Sequence, residues 1–129
     1  MSIQVSAESK PIGAAVLWEV NPDFTREPVT IASGSGALKA RQVLGKITAS
    51  GKYVPSDPTA ADGSQVAVAV LAEDADASSA DVVAMAITDG PALIDPAYLI
   101  HDAAVDNNTK KQTQINELAA VNIKAVKGA

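Results

Sequence analysis

The chain has 129 residues, a formal charge of −5, 47% apolar residues, only 3% aromatics and no cysteine. That length fits one domain, burying roughly two thirds of its unfolded surface. Ten Lys and Arg scattered over an acidic chain exclude the dense basic stripe of a nucleic-acid binder, the lack of cysteine excludes disulfides and thiolate metal sites, and no apolar run approaches the ~20 residues of a membrane span.

Residues 1–15 are small, polar and broken by Pro11 and Gly13. Ile3 and Val5 alternate there with Ser2, Gln4 and Ser6, a weak period of two. The reading is a flexible arm that orders by adding a strand to a partner's sheet edge, with Ser2, Ile3, Gln4, Val5 and Ser6 as its binding residues. Residues 1–17 contain Glu8 and Pro11 and no continuous apolar core, so a secretion signal is not expected. A short strand is predicted over 16–20, closed by the turn chemistry of Asn21, Pro22 and Asp23. Trp18 and Phe24 are expected to anchor the core. Pro22 and Pro28 bracket an irregular loop in which Asp23, Arg26 and Glu27 are solvated.

From residue 27 to 70 the chain reads as short β-branched strands separated by Gly, Ser and Asp-Pro turns, the pattern of a compact barrel or sandwich half. Strands are predicted over 29–31, 43–48, 52–54 and 65–71. The run 33–36 (Ser, Gly, Ser, Gly) lacks the Gly-Lys-Ser/Thr ending of a phosphate-binding loop and reads as a β-turn. The near-continuous apolar run 66–71 predicts a strand buried on both faces. Residues 72–81 carry Glu73, Asp74, Asp76 and Asp81. An EF-hand starting at Asp74 would need Gly where Ser79 stands and Glu where Met85 stands, so the run reads as a solvated loop.

A further strand is predicted over 82–87, closed by Asp89, Gly90 and Pro91. Asp95 as cap and Pro96 in first position predict a short helix with its body over 97–101. Asn107 or Asn108 caps a second helix to about 119, with Ile115 and Leu118 on one face. Val121, Ile123 and Ala125 alternate with Asn122 and Lys124, so a final strand closed by Gly128 follows; one helix running to the end is the competing reading. No internal repeat and no linker divides the chain.

No constellation suits catalysis or a cofactor. His101 is the one histidine, no local signature singles out a nucleophilic serine, and one histidine cannot make a zinc site. Four aromatics (one Trp, two Tyr, one Phe) leave little to line a cleft for carboxylate chemistry. The apolar content is mostly Ala and Val, and even a buried Val or Leu contributes only about 1.5–3 kcal/mol. A domain so built gains from burying surface against copies of itself or a partner, and oligomerisation is the favoured reading.

The order and wording of 29–34, 38–40, 43–48, 51–53, Asp57-Pro58, 61–63 and the apolar run to Leu71 resemble the lambdoid bacteriophage head decoration protein family, small proteins of the outer phage head. Thr109, Lys110, Lys111 and Thr113, with the alternation over 121–126, resemble the closing helix and strand of that family. The resemblance implies an α+β fold: one small domain of short strands, barrel- or sandwich-like and of the β-tulip type. One or two short helices would lie in the C-terminal third. It implies an arm over 1–15 that orders against the major capsid protein and a decoration domain over 16–129. A homotrimer would sit at three-fold and quasi-three-fold sites of the expanded capsid, clamping it against DNA pressure without cofactor, nucleic acid or membrane. The place of action would be the outer virion surface, after assembly in the host cytoplasm. The family pattern has Ala-Gly where this chain has Ala40-Arg41, which implies a different backbone shape before Val43. Residues 1–25 show no close match.

Two other readings stay open. One is a small β-rich carrier or accessory domain of an enzyme, with Lys39, Lys46 or Lys52 as the modified lysine, although none stands in an Asp-Lys-Ala or Met-Lys-Met setting. The other is a phage tail or spike component.

Overall fold

The computed structural model describes residues 16–19 and 25–125. Ten strands and one α-helix lie among them, in chain order β1 (Val16–Glu19), β2 (Arg26–Ile31), β3 (Gly36–Leu38), β4 (Val43–Lys46), β5 (Tyr53–Pro55), β6 (Ala67–Leu71), β7 (Ala75–Ala77), β8 (Val82–Ile87), β9 (Ala92–Ile94), α1 (Asn108–Ala119) and β10 (Ile123–Ala125). The arm over 1–15, the turn at 21–23, Phe24, the side chain of Trp18 and the stop at Gly128 lie outside the described residues.

Five strands close into a barrel in the order β2-β5-β4-β6-β8, the β-rich centre that the turn pattern predicts. Alternation puts Val29, Ile31, Leu44, Tyr53, Ala69, Leu71, Ala84 and Ala86 in its core. β3 and β7 pair as a separate ribbon, and their Leu38, Ala75 and Ala77 pack into the same core. Barrel width grows with strand number, so five strands enclose a narrow lumen. Alanines at 69, 84 and 86 fit it where larger side chains would overpack. The Ala-rich core is thus satisfied within one subunit, and composition alone does not require a neighbour to complete it.

β6 is buried on both faces, as its apolar run predicts: Ala69 and Leu71 point inward, Ala67 and Val70 outward. The outward pair joins Val43, Ile87, Ala92, Ile94, Leu99, Leu118 and Ile123 in a second core beneath α1 and the sheet β1-β9-β10. α1 starts at the expected cap, Asn107, whose Oδ1 accepts from the Lys110 amide at 2.9 Å. It ends at Ala119, and Asn122 at φ +65 reverses the chain into β10. The final strand is therefore the correct alternative. A side chain at Gly90 would overlap the Asn122 carbonyl, which explains the glycine there.

The structure departs from the sequence reading at five places. The loop expected between Pro22 and Pro28 is, from Arg26, part of β2, with Arg26, Glu27 and Pro28 opposite Ile87, Ala86 and Met85. Met85 bonds away from β2, its amide to Glu73 and its carbonyl to the Ala72 amide, so Pro28 occupies a pair where no amide is needed. The solvated loop over 72–81 contains β7, whose Ala75 and Ala77 are buried. The helix expected over 97–101 is one 3₁₀ turn, Pro96–Tyr98, after which Leu99 is extended. The Ile100 amide and carbonyl are bonded to the Arg41 carbonyl and Val43 amide, which takes them from any helix. β3 and β9 are unexpected strands of three residues, too short to show a period. β4 stops at Lys46 because the Ile47 and Thr48 amides bond Lys52 and Asp62 carbonyls in the following loop.

Candidate functional site

Residues 40–43 are where the 96–101 segment crosses the barrel. The Arg41 amide donates to Leu71 O at 2.7 Å, its carbonyl accepts from Ile100 at 3.0 Å, and its Nη1 donates to Tyr98 O at 2.9 Å. Arg41 meets these demands at φ +84, a region that favours glycine. Arg41 thus combines a glycine-like backbone with a side-chain clamp.

His101 lies just past this crossing, half-buried and off any helix, which corrects its expected helical position. Its Nδ1 is 2.7 Å from Gln114 Oε1, while Gln114 Nε2 donates to Ser56 O at 2.9 Å. That second bond orients the amide, so the imidazole proton sits on Nδ1. Burial foremost, and the nearby Lys111 ammonium, hold the imidazole below its ordinary value, against the Gln114 bond. The Ser56 hydroxyl is buried and donates to Ser64 O at 2.9 Å. The chain His101–Gln114–Ser56–Ser64 is a polar strut joining α1 to the loop after β5; it presents no serine to the imidazole as a nucleophile. A cleft of about 370 Å³ beside it is lined by Pro96, Leu99, His101, Lys111 and Ile115, with no serine, threonine or cysteine among its lining residues. Gln114 was invisible to apolar periodicity, although it stands four residues before Leu118 on the buried face.

The acidic run over 72–81 is structural. Glu73 accepts from the Met85 amide (2.7 Å), Asp74 from the Ala40 amide (2.9 Å), Asp76 from the Ser78 amide (3.0 Å), and Asp81 from the Ser33 amide (2.8 Å) and Lys52 (2.6 Å). The Lys52 bond, then the Ser33 amide, hold the Asp81 carboxyl below the usual range, and the Ser78 hydroxyl does so for Asp76. Each acid serves a different backbone segment. Among the described residues no three His, Cys, Asp or Glu side chains are placed to hold a metal, and no helix is long and apolar enough to cross a membrane. The turn at Ser33–Gly36 is as predicted: Ser35 N donates to Ala32 O, with Gly34 at φ +90.

Each candidate carrier lysine has a neighbour on the surface. Lys39 lies 3.9 Å from Asp74, Lys52 pairs with Asp81, and Lys46 stands 5.9 Å from the centre of the Tyr53 ring. The candidate arm residues Ser2, Ile3, Gln4, Val5 and Ser6 lie outside the described residues. What remains is surface. On the outer side of β2 and β8, Val83 is 66% and Met85 37% exposed, opposite Thr30 and Pro28.

No curated protein matches the chain. A family model described as the bacteriophage lambda head decoration protein D matches residues 5–123.

Proposed function

The chain belongs to the family of the bacteriophage lambda head decoration protein D, and from that premise we propose that it binds the outside of the expanded head as a homotrimer and holds it against internal DNA pressure. Family membership itself carries the coarser statement, a capsid decoration role on the virion head. The finer reading has the major capsid protein as partner, no nucleic acid or membrane contact, no enzymatic step, and assembly in the host cytoplasm. Residues 1–15 act as the binding arm, through Ser2, Ile3, Gln4, Val5 and Ser6, and 16–129 as the decoration domain.

The observation that carries the reading is the span of the match, 5–123, which runs through both cores rather than one short motif. The surface supports it, since the polar side chains described above are spent on the fold itself. Three linked subunits turn weak contacts into a strong one, because the second and third contacts are intramolecular. Binding only the expanded lattice stabilises that lattice by mass action.

Mixing the purified protein with expanded, undecorated heads and imaging them tests this. Density in threes at three-fold and quasi-three-fold positions is expected. Monomers or dimers elsewhere, or binding to tails and not heads, would refute it.

A further inference from the structure

The chain carries fifteen Asp and Glu against ten Lys and Arg, yet among the described residues no acid lines the cleft of about 370 Å³ between α1 and the 96–101 crossing. Pro96, Ala97, Leu99 and Ile115 give it apolar walls, and Lys111 and His101 bring the two groups that can carry positive charge. Neither is fully used by the fold. Lys39, Lys52 and Lys110 each have a carboxylate, whereas the Lys111 ammonium forms no ion pair among the described residues. His101 gives its Nδ1 proton to Gln114 Oε1, which leaves Nε2 without a hydrogen bond among the described residues. We propose that the cleft is a binding site for a small carboxylate with a short apolar chain, the carboxylate beside Lys111 and the chain against Leu99 and Ile115.

Pockets for small ligands run from about 300 to 1,000 Å³ and are mostly apolar with a few polar groups, and this cleft has that size and make-up. A purely polar anion would leave Leu99 and Ile115 uncovered. A purely apolar ligand would strip water from Lys111 and offer nothing in return. His101 couples binding to a proton. Burial foremost, then the Lys111 ammonium, disfavours the imidazolium, against the Gln114 bond. The acids on the neighbouring segments are engaged elsewhere: Asp102 accepts from the Ala104 amide, and Asp57 from Thr59. A carboxylate beside both groups counters the Lys111 charge and accepts from Nε2 once that atom is protonated. Anion and proton therefore favour each other's binding.

The one histidine gives a single imidazole signal by NMR, which reads the cleft directly. At constant ionic strength butyrate should shift that signal saturably, and saturating butyrate should raise the pH midpoint of the imidazole titration. Acetate, with two fewer methylenes to bury, should bind roughly tenfold more weakly. Butylamine, with the same chain and the opposite charge, should leave the signal in place. Lys111→Gln, at an exposed position, should keep the melting temperature and bind butyrate roughly tenfold more weakly. The proposal is overturned by the absence of a saturable shift, by equal binding of butyrate and acetate or inorganic phosphate, by an unmoved titration midpoint, or by a Lys111→Gln variant that binds butyrate as the wild type does. None of these readouts involves heads, so the proposal stands or falls apart from the decoration reading.

Discussion

Arg41 holds φ +84, a conformation that costs an L-residue about 1–2 kcal/mol. Its Nη1 bond to Tyr98 O returns about 0.5–1.5 kcal/mol of that. Arg41→Gly removes both strain and bond and should change stability by less than about 1 kcal/mol. Arg41→Ala keeps the strain and loses the bond, so its urea midpoint should fall below that of the Gly variant. Equal midpoints would mean that the angle is not strained. His101 behaves differently because it titrates. Burial lowers its folded value below the ordinary 6.5, so the unfolded chain binds the proton more readily. Its contribution is complete above about pH 6.5 and is lost as pH falls through the folded value. Urea midpoints should drop between about pH 7.5 and pH 5 in the wild type and less in His101→Gln. Asp57, Asp62, Asp76, Asp81 and Asp106 are lowered from 3.8, so their loss comes in a separate, more acidic window.

At the scale of elements, β7 is held less by its three residues than by what its neighbours do for it. Asp74 accepts the Ala40 amide from across 34 residues of sequence, joining the run before β7 to the residues just after β3. Asp74→Ala should leave that amide without its partner and cost about 1 kcal/mol or more by urea denaturation. Asp74→Asn retains an acceptor oxygen and should cost less. Asp76 bonds only locally, to Ser78, and Asp76→Ala should stay within about 0.5 kcal/mol of the wild type. Elements with their own signals were legible: β8 runs over the predicted 82–87, and α1 begins and ends where its cap and apolar face predict. The failed helix over 97–101 had a sound local start in Asp95 and Pro96. Competition for the backbone of Ile100 by Arg41 and Val43 stopped it, and no local pattern carries that information.

For the whole molecule, the described members of the barrel core and the second core lie between Val16 and Ala125. Pro11 and Gly13 separate residues 2–12 from the first apolar run, so deleting them should leave the melting temperature unchanged. Binding to expanded heads should drop sharply, as the hydrogen bonds of an added strand are lost. A truncated protein that decorates heads with unchanged affinity would remove the arm from the mechanism. The same two cores bear on assembly, since the narrow barrel uses its alanines internally. Any contact between copies would then use the outer surface and not an unfinished interior.

The sequence by itself determined what depends on neighbours along the chain. The apolar run of β8, the cap of α1, the turn at Ala32–Ser35 and the double-sided burial of β6 are set by side-chain type, turn angles and burial pattern over a few residues. The family was legible for a related reason, because many such short signals recur in one order from 29 to 71. The tertiary structure alone decided the strand order β2-β5-β4-β6-β8, the β3–β7 ribbon, the backbone of Arg41 and the burial of Gln114. Each depends on a partner far away in sequence, as with Gln114 and Ser56 at a separation of 58 residues. Closing such loops costs entropy that only a complete set of contacts offsets, so these features form together or not at all.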